Sequence, residues 1–227
     1  MRRVVEGKWT RRQFVAGVVA AGAMAEVAGI GRLALAQTGM TGETAMQELM
    51  AGNERYIAGK ITSFPEDLKI LQEKTVLKQE PFAAVLSCAD SRVPVEILFD
   101  QSIGHVFVTR VAGNVVTPEV MASLEYGVSV LGLKAVLILG HTNCGAIAAA
   151  VQGKEVPGQI SVLYQHLMPG VREAHGDVVQ AVKANVVFQT RLVRESSTLI
   201  AKATKESGVK VSGGVYDLEN GRVNIIA

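Results

Sequence analysis

The chain has 227 residues, 48% of them hydrophobic and 19% charged, which suits one globular domain with a sizeable core. Its formal charge of +2 is uneven: residues 1–36 carry Arg2, Arg3, Lys8, Arg11, Arg12 and Arg32 against Glu6 and Glu26, a net +4, which leaves the remainder at −2. So mildly acidic a body gives no footing for nucleic acid or an anionic membrane.

The basic end has an export pattern. Thr10-Arg11-Arg12-Gln13-Phe14 precedes a small, apolar run from Val15 to Ala36 that ends in Ala34-Leu35-Ala36. Paired arginines, a weakly hydrophobic middle and an Ala-x-Ala end predict a twin-arginine-type signal peptide over residues 1–36. Glu26 and Arg32 interrupt the run, so it lacks the roughly 18 uninterrupted apolar residues a membrane anchor needs. The expected mature domain is residues 37–227, located in the periplasm.

From there the elements follow in order. Glu43 to Lys60 has Met46, Leu49, Met50, Tyr56 and Ile57 on one helical face, an N-terminal helical arm. Pro65 to Lys78 reads as at least partly helical. Phe82 to Ser87 is a buried strand running into Cys88. Pro94 opens a short helix as its first residue. Val106 to Arg110 is the second strand, Pro118 to Leu131 a helix, and Ala135 to Leu139 the third strand, with His141 just past its end. A helix starts at Gly145 and runs to Val151. Two more cover Ile160 to Ala174 and Asp177 to Lys205. Val209 to Leu218 and Arg222 to Ile226 form a hairpin-like pair about Glu219-Asn220-Gly221. Alternating strands and helices predict an α/β fold with a mainly parallel β-sheet flanked by helices. Ligands collect beyond the carboxyl ends of such strands, where Cys88, His141 and Cys144 all fall.

Those three residues supply S, N and S, a donor set suited to Zn2+. The His-x-x-Cys spacing lets one tight loop present both side chains to one point. No further cysteine exists to close a four-ligand structural site, and His105, His166 and His175 read as surface or packing residues. Two cysteines in an exported chain also admit a disulfide, but the polar residues around each favour metal. Twin-arginine cargo is associated with folding before translocation, so zinc can be loaded while the thiols are reduced. Asp90 and Arg92 form either a local ion pair at a turn or a catalytic pair, in which Arg92 keeps Asp90 ionised and off the metal so that it orients zinc-bound hydroxide.

With Cys88-Ala89-Asp90-Ser91-Arg92 and His141-Thr142-Asn143-Cys144-Gly145 both present and in order, the chain resembles the β-class carbonic anhydrases. The resemblance runs from the Glu43–Lys60 helix to Val215-Tyr216-Asp217-Leu218 and Gly221-Arg222-Val223. It implies reversible hydration of carbon dioxide to bicarbonate by zinc-bound hydroxide. It also implies further site residues: Gln79, whose amide donates to bound substrate or bicarbonate, Phe107 and Tyr126 walling the substrate pocket, and Gly145 with its backbone N–H nearby. Relatives complete this wall from a neighbouring subunit, so a homodimer or dimer-based assembly is implied. Two thiolate ligands imply activity that favours alkaline pH.

There are departures from the pattern. Val85 and Ser87 stand where the bicarbonate-inhibited subtype has tryptophan and glycine, which speaks against its regulatory pocket and its aspartate-closed resting state. Val111-Ala112-Gly113 replaces the common Asn-Val-Ala stretch, and no histidine matches a proton-shuttle position. Hydrolysis of carbonyl sulfide or carbon disulfide is the alternative reaction on the same fold, and a zinc-binding protein without turnover is the alternative class.

Overall fold

Residues 38–63, 75–76, 78–155 and 157–227 are described by the computed structural model. The segment expected to be an export signal, residues 1–36, and most of the Pro65–Lys78 segment lie outside them. Helix α1 (Gly42–Ile57) begins at a capping box, in which Thr41 and Thr44 satisfy each other's backbone N–H. It slots against the sheet side of the fold through Ala45, Met46 and Leu49. Strand β1 (Ala83–Ser87) follows, then the one-turn helix α2 (Val95–Leu98), β2 (Val106–Arg110) and a tight turn at Ala112–Asn114. Pro94 caps α2 from an extended conformation (ψ 96°) rather than forming its first residue.

Helix α3 (Pro118–Tyr126) starts from Thr117, whose hydroxyl accepts the Val120 N–H, and runs on through a π-helical turn at Gly127–Leu131. Strand β3 (Ala135–His141) is two residues longer than expected, so His141 is its last residue and not the first beyond it. Its partner explains the extension, because His141 lies in register with Tyr216 of β4 (Lys210–Tyr216). Helices α4 (Gly145–Val151) and α5 (Ser161–Glu173) come next. The single helix expected over Asp177–Lys205 is two, α6 (Val178–Ser196) and α7 (Thr198–Glu206). Ser197 breaks it by turning extended and using its hydroxyl to cap α7 at the Ile200 N–H, 3.1 Å away, while donating to Glu125 at 2.6 Å. The closing hairpin pairs β4 antiparallel with β5 (Val223–Ile225), as expected.

The sheet order is β2-β1-β3-β4-β5, with β1 to β4 parallel. Every residue of β1 and β3 is buried, which is why both read as unbroken apolar runs. Alternate residues divide between two layers. Val85, Leu137 and Leu139 pack under α1 and α2, and Leu86, Val136 and Ile138 under α3 and α7. The chain leaves β1 toward β2 on one side, then crosses to β3 on the other. The carboxyl ends of β1 and β3 therefore flank a point where the winding reverses, the place where open α/β sheets hold ligands.

Helix α1 and the segment after it are tied to the loop between α2 and β2 by a buried carboxylate. Asp100, held at φ 45°, accepts from Arg55 Nε at 2.6 Å, Thr62 N at 2.8 Å, Thr62 Oγ1 at 2.9 Å and Ser63 N at 3.0 Å. Burial alone would push its carboxyl up, but Arg55 and the Ser63 and Thr62 donors outweigh that and hold it well below the usual carboxylate range. Asp100→Ala is expected to cost about 2–4 kcal/mol in urea unfolding at pH 7, because four donors lose their acceptor. The folded pKa is the lower one. This contribution is therefore complete above the unfolded carboxylate value near 4 and disappears as pH falls below it, so wild type and Asp100→Ala should converge in acid. A constant gap between their unfolding midpoints from pH 7 to pH 2 would exclude the ionised carboxylate as its source.

Candidate metal centre

The winding reversal brings together the two segments that the sequence separates by more than fifty residues. Cys88 is the first residue past β1, His141 ends β3, and Cys144 is the residue from which α4 starts. Their three ligand atoms lie within 4.8 Å of one another, and all three side chains are buried. Both cysteines are free thiols. His105, His166 and His175 stand apart from this cluster.

The donor set fits Zn2+. His141 Nδ1 lies 2.8 Å from the Thr142 carbonyl oxygen and donates to it, which fixes the tautomer and leaves Nε2 as a bare lone pair. That Nε2 is fully buried with no hydrogen-bond partner, which is costly unless a cation takes it up. The sulfurs are arranged for the same purpose. Their mutual hydrogen bond pulls the Cys88 thiol down, helped against burial by His141 and the Gly113 N–H, and pushes the Cys144 thiol up. Burial lowers the His141 imidazolium, but the neighbouring Cys88 sulfur more than restores it. Without a cation the pair thus retains a proton that two thiolate ligands must give up.

Asp90 sits beside the cluster, its Oδ2 3.8 Å from His141 Nε2. Arg92 grips it bidentately, Nε to Oδ1 at 2.9 Å and Nη2 to Oδ2 at 2.8 Å, and the Arg92 backbone N–H adds a third bond to Oδ1 at 3.0 Å. These bonds, the side-chain ones first, hold the Asp90 carboxyl far below its ordinary range. Arg92 Nη2 also donates to the Asn143 carbonyl at 3.2 Å, so the same guanidinium links the two ligand segments.

The remaining expected residues fall in three places. Gly145 opens α4, and the N–H groups of a first helical turn have no partner within the helix. Phe107 and Tyr126 meet each other, ring centroids 6.3 Å apart, but Phe107 packs in the layer of Leu124 and Val128, while the cysteines belong to that of Ile147 and Leu167. Tyr126 is 46% exposed in the single chain, and Gln79 is exposed as well.

Sequence reasoning missed two supports. Arg110, at the end of β2, donates from Nε to the Cys88 carbonyl at 3.0 Å and from Nη2 to the Asp90 carbonyl at 2.5 Å, clamping the loop between them. Gly113 donates its N–H to Cys88 Sγ at 3.3 Å. Its φ of 76° favours glycine, and an added Cβ would lie 2.9 Å from Leu167 Cδ2. The only sequence signal was position, since Arg110 ends the second strand and Gly113 lies just past it, much as Cys88 follows the first.

Comparison with known proteins agrees with this geometry. A family model described as carbonic anhydrase matches residues 83–223. A carbonic anhydrase of Mycolicibacterium smegmatis is 35% identical over 189 residues, covering 80% of this chain and 91% of the relative. Carbonic anhydrase 2 of Mycobacterium tuberculosis is 32% identical over 189 residues, covering 78% and 89%. Among solved structures, a β-carbonic anhydrase of the fungal pathogen Aspergillus fumigatus superposes with a TM-score of 0.66 at 25% identity, over 80% of this chain and 90% of that one. A fold whose winding reversal gathers Cys88, His141 and Cys144 beside a clamped Asp90 is therefore matched at the level of sequence as well as shape, and the chain belongs to the β-class carbonic anhydrases, enzymes of carbon dioxide hydration.

Proposed function

We propose that Cys88, His141 and Cys144 hold Zn2+ and that the site catalyses CO2 + H2O ⇌ HCO3− + H+ there. The observation that carries this is the orphaned, buried His141 Nε2 between two free thiols, 3.8 Å from a carboxylate whose two oxygens are both engaged by arginine. Bound zinc supplies a Lewis acid that lowers the pKa of water to about 7, so that hydroxide is available at neutral pH. Arg92 keeps Asp90 ionised and turned to its own side, so the carboxylate serves as a hydrogen-bond acceptor that orients the attacking solvent rather than as a ligand. Gln79 and the Gly145 N–H donate to the oxygens of the forming bicarbonate. Phe107 and Tyr126 wall an apolar pocket that admits the linear substrate. With no histidine in a shuttle position, the proton leaves through water and buffer.

The exposure of Gln79 and Tyr126 in the single chain, and the position of β2 at a sheet edge, suit a homodimer or dimer-based assembly in which a second copy completes the wall. Two β-carbonic anhydrases of Sordaria macrospora that share the fold are tetramers. Residues 1–36 act in this reading as a twin-arginine signal that delivers a domain of residues 37–227 to the periplasm. Finding the protein in the cytoplasmic fraction, with residues 1–36 retained, would remove that part.

Stopped-flow CO2 hydration, run beside a carbonyl sulfide assay, tests the reaction. Hydration is expected to rise toward alkaline pH, to vanish on chelator treatment and to return with Zn2+. A zinc-loaded preparation inactive toward both gases would overturn the reading, and one active only toward carbonyl sulfide would change the substrate.

A further inference from the structure

A file of buried amides reaches the metal centre from helix α6, which packs in the same layer as Cys88 and Cys144. Helix α6 carries Asn185 and Gln189 one turn apart, 1% and 0% exposed. Both face the turn that follows β2. The Val116 backbone N–H, which can only donate, lies 2.9 Å from Gln189 Oε1. That fixes the amide of Gln189, so its Nε2 donates to the His166 carbonyl at 3.0 Å and to Asn185 Oδ1 at 3.1 Å. Asn185 is thereby fixed in turn, and its Nδ2 must point at the Gly113 carbonyl, 2.9 Å away. Gly113 is the residue whose N–H donates to Cys88 Sγ at 3.3 Å.

Every bond in this file has one allowed direction, and none depends on solvent. A single backbone N–H at Val116 sets two side-chain amides, and these pin a glycine held at φ 76° beside Leu167. We propose that Asn185 and Gln189 are positioning residues for the metal centre: they hold the Gly113 N–H on the Cys88 sulfur and so set how strongly that thiolate donates to the metal. A hydrogen bond to a thiolate withdraws charge from it. In a site with two anionic sulfurs this keeps the metal more electrophilic than its ligands alone would. The inference rests on the metal assignment proposed above and adds to it which residues outside the ligand loops tune it.

The test uses the full chain, stripped of metal and titrated with Co2+, whose sulfur-to-metal charge-transfer band reports thiolate donation directly. Asn185→Leu removes the donor to Gly113 while leaving Gln189 its bonds to Val116 and His166. The band is expected to move to longer wavelength, and Co2+ affinity to fall about 10-fold, the low end for loss of a group supporting a ligand. Gln189→Met, which frees Asn185 to turn, is expected to shift the band in the same direction by less. Far-UV circular dichroism establishes folding. If Asn185→Leu does not fold, Gln189→Met decides alone. An unmoved band and affinity in a folded variant would overturn the inference while leaving the metal assignment intact. Failure of the unmodified chain to bind one Co2+ would overturn both.

Discussion

Asp90→Asn is expected to keep one Zn2+ per chain and to lower kcat/KM for CO2 hydration by about 100-fold or more, the range for loss of a positioned acid–base group. The substitution is nearly isosteric and touches no ligand. It replaces a carboxylate that accepts three bonds from Arg92 with an amide, one end of which would meet the guanidinium donor to donor. The group would lose both its charge and its orientation. Arg92→Ala should be equally damaging for the opposite reason. Once released, a carboxylate 3.8 Å from His141 Nε2 can swing onto the metal and close it. The arginine bonds depress the Asp90 pKa, so Asp90 stays ionised throughout the neutral and mildly acidic range. Any acid limb of the activity profile above pH 5 therefore belongs to another group. Zinc content and stopped-flow rates measured on the same samples decide the matter: unchanged turnover in Asp90→Asn would remove the orienting role.

Cys144→Ser is expected to abolish activity by a different route, through loss of the metal. A serine hydroxyl stays protonated where a thiolate is needed. If three ligands share a binding free energy of about 10–16 kcal/mol, losing one weakens affinity by roughly 3–5 kcal/mol, on the order of 10²–10⁴-fold. The fold should survive, because Cys144 precedes α4 without capping it through its side chain. The expected sample is therefore a folded, zinc-poor protein with background hydration. Full zinc occupancy after dialysis against a competing chelator would show that Cys144 is not a ligand.

Much of this was legible in the sequence because the determinants are local. The strands β1 and β3 announce themselves as short apolar runs, and α1 as a spaced apolar face. Each ligand segment is a contiguous motif. What stayed hidden depends on pairing between distant parts. His141 counts as strand only because Tyr216 lies beside it. Ser197 reads as one more helical residue until its hydroxyl is seen between Ile200 and Glu125. Arg110, Gly113, Asn185 and Gln189 carry no motif, since their roles are made by backbone groups whose positions no residue name reveals. Phe107 and Tyr126 rest on resemblance, and the single chain shows them touching each other and leaves their relation to substrate to the assembly.

The proposed ligands come from the ends of two strands that pair with each other, so no short peptide of this chain can assemble the centre. Metal capture must wait until β1 and β3 have docked in register. A cation bound only by the finished sheet draws the folding equilibrium toward completion, by about 4 kcal/mol when it is present at a thousandfold excess over its dissociation constant. Resistance to thermal unfolding should therefore track zinc supply, and chains starved of the metal would be the first cleared by proteolysis.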